Sequence, residues 1–108
     1  MKLQGIIEKL SLKALTKVEE KELTGVYISD MLSDAMSNAQ AGNLWLTAQT
    51  HKNVVSAANL IDLAAIIVTH GKKVPEDTFE LANRFHVIIL STDLSTFEVA
   101  KKLVEAGM

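Results

Sequence analysis

The chain reads as an α/β domain: a single three-layer unit, 1–108, with a mainly parallel sheet of four or five strands and helices on both faces. Three observations predict this. Apolar stretches recur at 23–28, 43–49, 64–69 and 86–90, and helical patterns separate them. Strands and helices alternating at that rhythm favour a parallel sheet joined by right-handed crossovers. AAIIVT at 64–69 and HVIIL at 86–90 are apolar almost throughout, as strands covered on both faces are. The stretch 43–71 contains one whole crossover, and both of its strands hand over to Thr-His pairs, Thr50-His51 and Thr69-His70.

Residues 1–22 read as an N-terminal helix and connecting segment. Leu3, Ile6, Ile7 and Leu10 follow the i, i+3, i+4, i+7 spacing of one helical face. LKALT at 12–16 suits a short edge strand, and the charged run 18–22 suits a solvated turn. LTGVYI at 23–28 clusters β-branched and aromatic residues and is expected as a strand, with Gly25 marking a bulge or a close approach.

Ser29-Asp30 then offers an N-cap pair for a helix over 31–41, whose inward stripe is Met31, Leu32, Ala35, Met36 and Ala39. Gly42 suits the left-handed position that ends such a helix. In the strand 43–49, Leu44, Leu46 and Ala48 face one way and Trp45, Thr47 and Gln49 the other. Trp45 fits either beneath a helix or at an interface. The next helix, 53–62, carries Val54, Ala57, Ala58 and Ile61 on one stripe, with Val55 and Leu60 beside it.

Pro75 is placed for the first position of a helix, with Glu76 and Asp77 in its first turn, and Phe79, Ala82 and Phe85 are expected inward. His86 opens the last strand and has a structural role. Ser95 and Glu98 form a capping box for the final helix, expected to bury Phe97, Ala100, Leu103 and Val104 and to stop at Gly107.

Composition narrows the functions. With 48% apolar and 22% charged residues and one proline, the chain is globular and has no linker-like segment. Its net charge of −2 and the lack of any basic block speak against a nucleic-acid surface. No cysteine is present, which removes disulfides, thiolate catalysis and cysteine-ligated metals. No apolar run approaches the ~18 residues of a membrane span and no signal peptide opens the chain, so no membrane partner is expected and the expected location is cytoplasmic.

Chemistry-bearing residues collect where strands end. In a parallel sheet those carboxyl ends share one edge, the usual ligand-binding edge of open α/β sheets. The candidate ligand-binding residues delivered there are Ser29, Asp30, Thr50, His51, Thr69, His70, Gly71, Ser91, Thr92 and Asp93. Hydroxyl, imidazole and carboxylate groups beside helix N-termini fit a phosphorylated or carboxylated ligand; the same residue types also serve as ordinary caps. His51 and His70 lack the spacing that would hold a metal on one helix, so no metal site is expected. A P-loop ending at Gly71-Lys72 would need glycine at 66 and Ser or Thr at 73, where the chain has Ile66 and Lys73. GxGxxG and a nucleophile elbow are absent too, so no catalytic residue is assigned.

GVYISDMLSDAMSNAQAGNLWLTAQTHKNVVSAANLIDLAAIIVTHG, followed by VIILSTDLSTFEVAKKL, resembles the DRTGG domain family. It looks most like small stand-alone members in which one segment reads WLTxQTHxNVV. The likeness covers about residues 23–105. It implies an α/β regulatory or dimerisation module, similar in fold to the N-terminal domain of the bacterial HPr kinase/phosphatase. Such domains also stand beside paired CBS domains in regulated pyrophosphatases and occur in some phosphotransacetylases. The family's Asp-Arg after one strand and Thr-Gly-Gly after the next correspond to Thr50-His51 and Thr69-His70-Gly71, of which only Thr69 and Gly71 match the named motif. The kinase domain of the HPr enzyme is absent, so kinase activity is not implied.

The expectation is therefore a non-catalytic module without a cofactor. It would form a homodimer and sense a small anionic metabolite or nucleotide at the sheet edge. Two alternatives stand beside it: a small enzyme using His51 or His70, and an accessory subunit that docks on a larger metabolic enzyme.

Overall fold

Five strands share one sheet, and the chain enters it at one edge before crossing to the other. The structure is a computed structural model that describes residues 1–108. Helix α1 (Leu3–Leu10) and strand β1 (Lys13–Ala14) come first. Then follow β2 (Gly25–Ile28), α2 (Leu32–Asn38), β3 (Asn43–Thr47), α3 (Asn53–Ile61), β4 (Ala65–Val68), α4 (Glu76–Arg84), β5 (Ile89–Ser91) and α5 (Thr96–Glu105). The sheet order is β1-β5-β4-β3-β2, so four parallel strands lie in sequence order and β1 closes the far edge antiparallel to β5. The three-layer α/β expectation is met, with five strands.

The layers follow from the alternation of side chains along the strands. Leu44, Leu46, Ala65, Ile67 and Leu90 turn to one face, where α1 and α5 cover them with Leu3, Ile6, Leu10, Val99 and Leu103. Trp45, Ile66, Val68 and Ile89 turn to the other, beneath Ala35 of α2, Val54 and Ala58 of α3, and Ala82 of α4. Because β2 to β5 advance in one direction, right-handed crossovers place α2, α3 and α4 on the same face. After β5 the chain returns, in α5, to the face that α1 covers.

The structure decides between alternatives at Trp45 and Gly25, and several other positions differ from the sequence expectation. Trp45 is fully buried, and its Nε1 donates to the Ser29 carbonyl at 2.9 Å, which settles it beneath a helix. Helix α2 starts at Leu32 with Met31 as its N-cap and without a side-chain cap, so Ser29-Asp30 do not cap it. It stops at Asn38, and Gly42 takes its left-handed φ of 81° in the turn before β3 instead. That short helix turns only Ala35 fully inward, leaving Met31 and Met36 exposed. On α5 the buried residues are Val99 and Leu103, while Phe97 and Val104 are exposed. The stripe is rotated by about one position because Val99 and Leu103 form an i, i+4 pair over the sheet. Leu60 and Phe85 also lie outside the core. His86 adopts a left-handed φ of 59° ahead of β5, which begins only at Ile89. Gly25 is a close approach: a Cβ there would stand 3.3 Å from Asn43 Nδ2.

Candidate ligand-binding site

The carboxyl edge divides into two halves. At the ends of β2 and β3, Asp30 Oδ1 accepts from Thr47 Oγ1 at 3.0 Å and from the Ala48 amide at 2.8 Å. Ser29 Oγ accepts from the Met31 amide at 3.1 Å. The Ser29 hydroxyl first, and then the Tyr27 phenol, hold the nearby Asp34 carboxyl below its ordinary value; the same bond to Asp34 raises Tyr27. His51 Nδ1 accepts from the Asn53 amide at 3.1 Å, and the Thr50 carbonyl accepts from Thr78 Oγ1 at 2.9 Å. Asp30 and Thr50 thus tie their loops to neighbouring segments, Ser29 and His51 brace their own turns, and none of the four lines the crevice at the ends of β4 and β5.

The ends of β4 and β5 are arranged differently. The loop after β4 turns toward α4 on one face, and the loop after β5 turns toward α5 on the other. Adjacent parallel strands whose connections diverge leave a crevice between them, which is where open α/β sheets hold ligands. Here the crevice has a volume of about 490 Å³ and is lined by Gly71, Lys72, Ser91, Thr92, Asp93 and Leu94. Leu10, Ser11 and Lys13 form its remaining wall.

Thr69 and His70 shape the crevice without lining it. The fully buried Thr69 shares a 2.7 Å hydroxyl–hydroxyl hydrogen bond with Thr96 at the start of α5. His70 Nε2 accepts from the Thr96 amide at 3.2 Å, and its own amide donates to the Leu94 carbonyl at 2.8 Å. The Gly71 amide donates to the Thr92 carbonyl at 2.9 Å. Both His70 and Gly71 have a φ of 64°. The left-handed region costs a residue with a Cβ roughly 1–2 kcal/mol, so a glycine pair is the relaxed solution there. That explains physically why a Thr-Gly-Gly turn suits this position. The chain keeps histidine in its middle and gains the ring's bond to Thr96.

Beside it, Ser95 Oγ accepts from the Glu98 amide at 3.1 Å and Glu98 Oε1 accepts from the Ser95 amide at 3.2 Å. The Ser95 backbone bond, and then the Ser95 hydroxyl, hold the Glu98 carboxyl below its ordinary value of 4.5.

Of the ten candidates, the crevice gathers Gly71, Ser91, Thr92 and Asp93. Sequence reasoning missed Ser11 and Lys13, because only the pairing of β1 with β5 carries them there. Lys72 lay in plain view in the loop after β4. No group of three or more metal-ligating side chains is assembled anywhere in the chain, and no helix is long and apolar enough to cross a membrane.

A family model described as the DRTGG domain matches residues 5–106. The chain belongs to the DRTGG domain family. The match reaches further toward the N-terminus than the stretch carrying the recognisable motifs, and it takes in β1 and α1 from Gly5 onward. No curated protein sequence matches this DRTGG domain. Among solved structures it is similar to the CBS and DRTGG domains of the regulatory region of Clostridium perfringens pyrophosphatase, a structure complexed with the activator diadenosine tetraphosphate. The TM-score is 0.79 at 18% identity, over 96% of this chain and 46% of that one. The likeness is one of fold, and this DRTGG domain spans less than half of that chain.

Proposed function

We propose that this DRTGG domain is a non-catalytic regulatory module that binds a small phosphorylated or nucleotide ligand in the β4–β5 crevice and works as a homodimer. One observation carries the reading. The loops that diverge after β4 and β5 leave an open crevice whose wall holds Lys13 and Lys72 beside Ser11, Ser91 and Thr92. Two lysines suit phosphate oxygens, while the hydroxyls and Asp93 suit the polar groups of a sugar or base. Support for regulation comes from the pyrophosphatase structure, where the similar fold is part of a regulatory region complexed with a dinucleotide activator. By the same likeness, the module serves an enzyme that it accompanies.

Catalysis by His51 or His70 is disfavoured. Each ring already accepts a backbone amide, and the two sit in loops that belong to different halves of the edge.

The test is thermal unfolding against mono- and dinucleotides, sugar phosphates and inorganic phosphate. A ligand at 100 times Kd should stabilise the domain by about 2.7 kcal/mol. The double substitution Lys13→Ala and Lys72→Ala should remove the shift without lowering the unliganded midpoint. A panel that shifts nothing would overturn the ligand reading.

A further inference from the structure

The two edges of the sheet are finished in opposite ways. β1 has two residues, one of them Lys13, and a short charged edge resists pairing with another strand. β2 reads Gly-Val-Tyr-Ile, pairs within the sheet only with β3, and carries no charge or proline; the N-terminus pairs with the segment just ahead of it, through Lys2 and Glu22 and through the Leu23 amide and the Met1 carbonyl. An apolar groove runs beside it, bounded by Val26 and Ile28 of β2 and by Ala100 and Val104 of α5.

Four of the eight exposed large apolar residues lie at the end of β2 or on α5. Phe97 and Val104 on α5 are 77% and 68% exposed, and Ile28 and Met31 at the end of β2 are 50% and 64% exposed. Phe97, Ala100 and Val104 form an i, i+3, i+7 stripe beside the buried pair Val99 and Leu103. The rotation of α5 noted above therefore leaves a second apolar line with nothing over it.

We infer that the free edge of β2 together with the Phe97–Val104 stripe of α5 is the surface on which two copies of this chain meet, with the β2 strands paired antiparallel about a two-fold axis. The inference rests on the self-association proposed above and names its surface. An unprotected strand edge is completed by another strand, and the groove beside it needs an apolar helical stripe. A second copy supplies both at once, because an antiparallel pairing about an axis normal to the sheet keeps both α5 helices on one face, side by side. The isologous contact sets Phe97 of each copy toward Val104 of its mate. Covering the four exposed side chains and the flanking strand removes roughly 500–800 Å² per copy, on the scale of the ~800 Å² per partner in standard interfaces.

Sedimentation equilibrium of the full chain tests this, with Phe97→Asp and Val104→Asp combined in one variant. Both positions are outside the core, so far-UV circular dichroism should stay unchanged while dimerisation weakens on the order of 100-fold, and the unfolding midpoint should lose its dependence on protein concentration. A natural chain that stays monomeric throughout the micromolar range would overturn self-association and this surface together. If dimers form equally well in both proteins, this surface is overturned and self-association stands. The chain has no cysteine, so single variants Phe97→Cys and Val104→Cys can be mixed and oxidised against a clean background. Covalent 97–104 dimers are the expected product, and their absence would overturn the antiparallel arrangement. Ligand binding is read separately by the thermal shifts above.

Discussion

Thr69, at the end of β4, and Thr96, in the first turn of α5, share a hydroxyl–hydroxyl hydrogen bond of 2.7 Å that ties the strand to the helix. Thr69 is fully buried. Thr69→Val keeps the shape and strands the Thr96 hydroxyl, so it should destabilise the fold by about 1–2 kcal/mol. Urea unfolding would show a lower midpoint at constant m-value.

His70 allows a contrast between two substitutions at one position. His70→Ala loses the ring's bond to the Thr96 amide and keeps a Cβ at a φ of 64°, so it should destabilise by about 1 kcal/mol. His70→Gly loses the same bond but relieves the left-handed backbone, and should fall within about 0.5 kcal/mol of the natural protein. Equal losses for the two variants in chemical denaturation would show that the backbone there carries no strain.

Asp30 should behave as a brace for β2 and β3. Asp30→Ala removes the acceptor of Thr47 Oγ1 and the Ala48 amide and should cost about 1–2 kcal/mol in unfolding experiments. Ligand affinity at the β4–β5 crevice should stay as it was, because Asp30 lies in the other half of the edge. A variant that folds normally but fails to bind would place the ligand at the wrong end of the row.

The capping box predicts a pH dependence. Glu98 titrates lower in the folded chain than its ordinary 4.5, mainly through the Ser95 backbone amide. A lowered carboxylate stabilises fully above the unfolded value, and its contribution disappears as pH falls through the folded one. Stability from this source should thus be constant above about pH 5.5 and decline below 4.5, and Glu98→Gln should flatten that part of the curve. Denaturation midpoints between pH 3 and 7 for the two proteins would check it.

Local patterns made the layers readable, and long-range pairing hid the site. The apolar runs at β4 and β5, the alternation around Trp45, and the Ser95–Glu98 cap are visible because each depends on a few neighbouring residues. Where a helix settles with a different face inward, as at Met36, Phe97 and Val104, periodicity assigns the wrong side. The row of ten polar residues is at the expected edge, yet which of them share a cavity depends on the face to which each crossover returns. Lys13 reaches the crevice only by pairing with Ser91, across most of the chain, and no local signal carries that register.

The same pairing has a consequence during synthesis. Lys13 and Ala14 leave the ribosome early, while their partners Ser91 and Leu90 emerge near the end. Strands β2, β3 and β4 can zip to one another as they appear, each beside its immediate predecessor. The N-terminal segment must wait, with Leu3, Ile6 and Leu10 lacking most of their final cover until β5 and α5 arrive. The first wall of the crevice to be translated is therefore the last to be built.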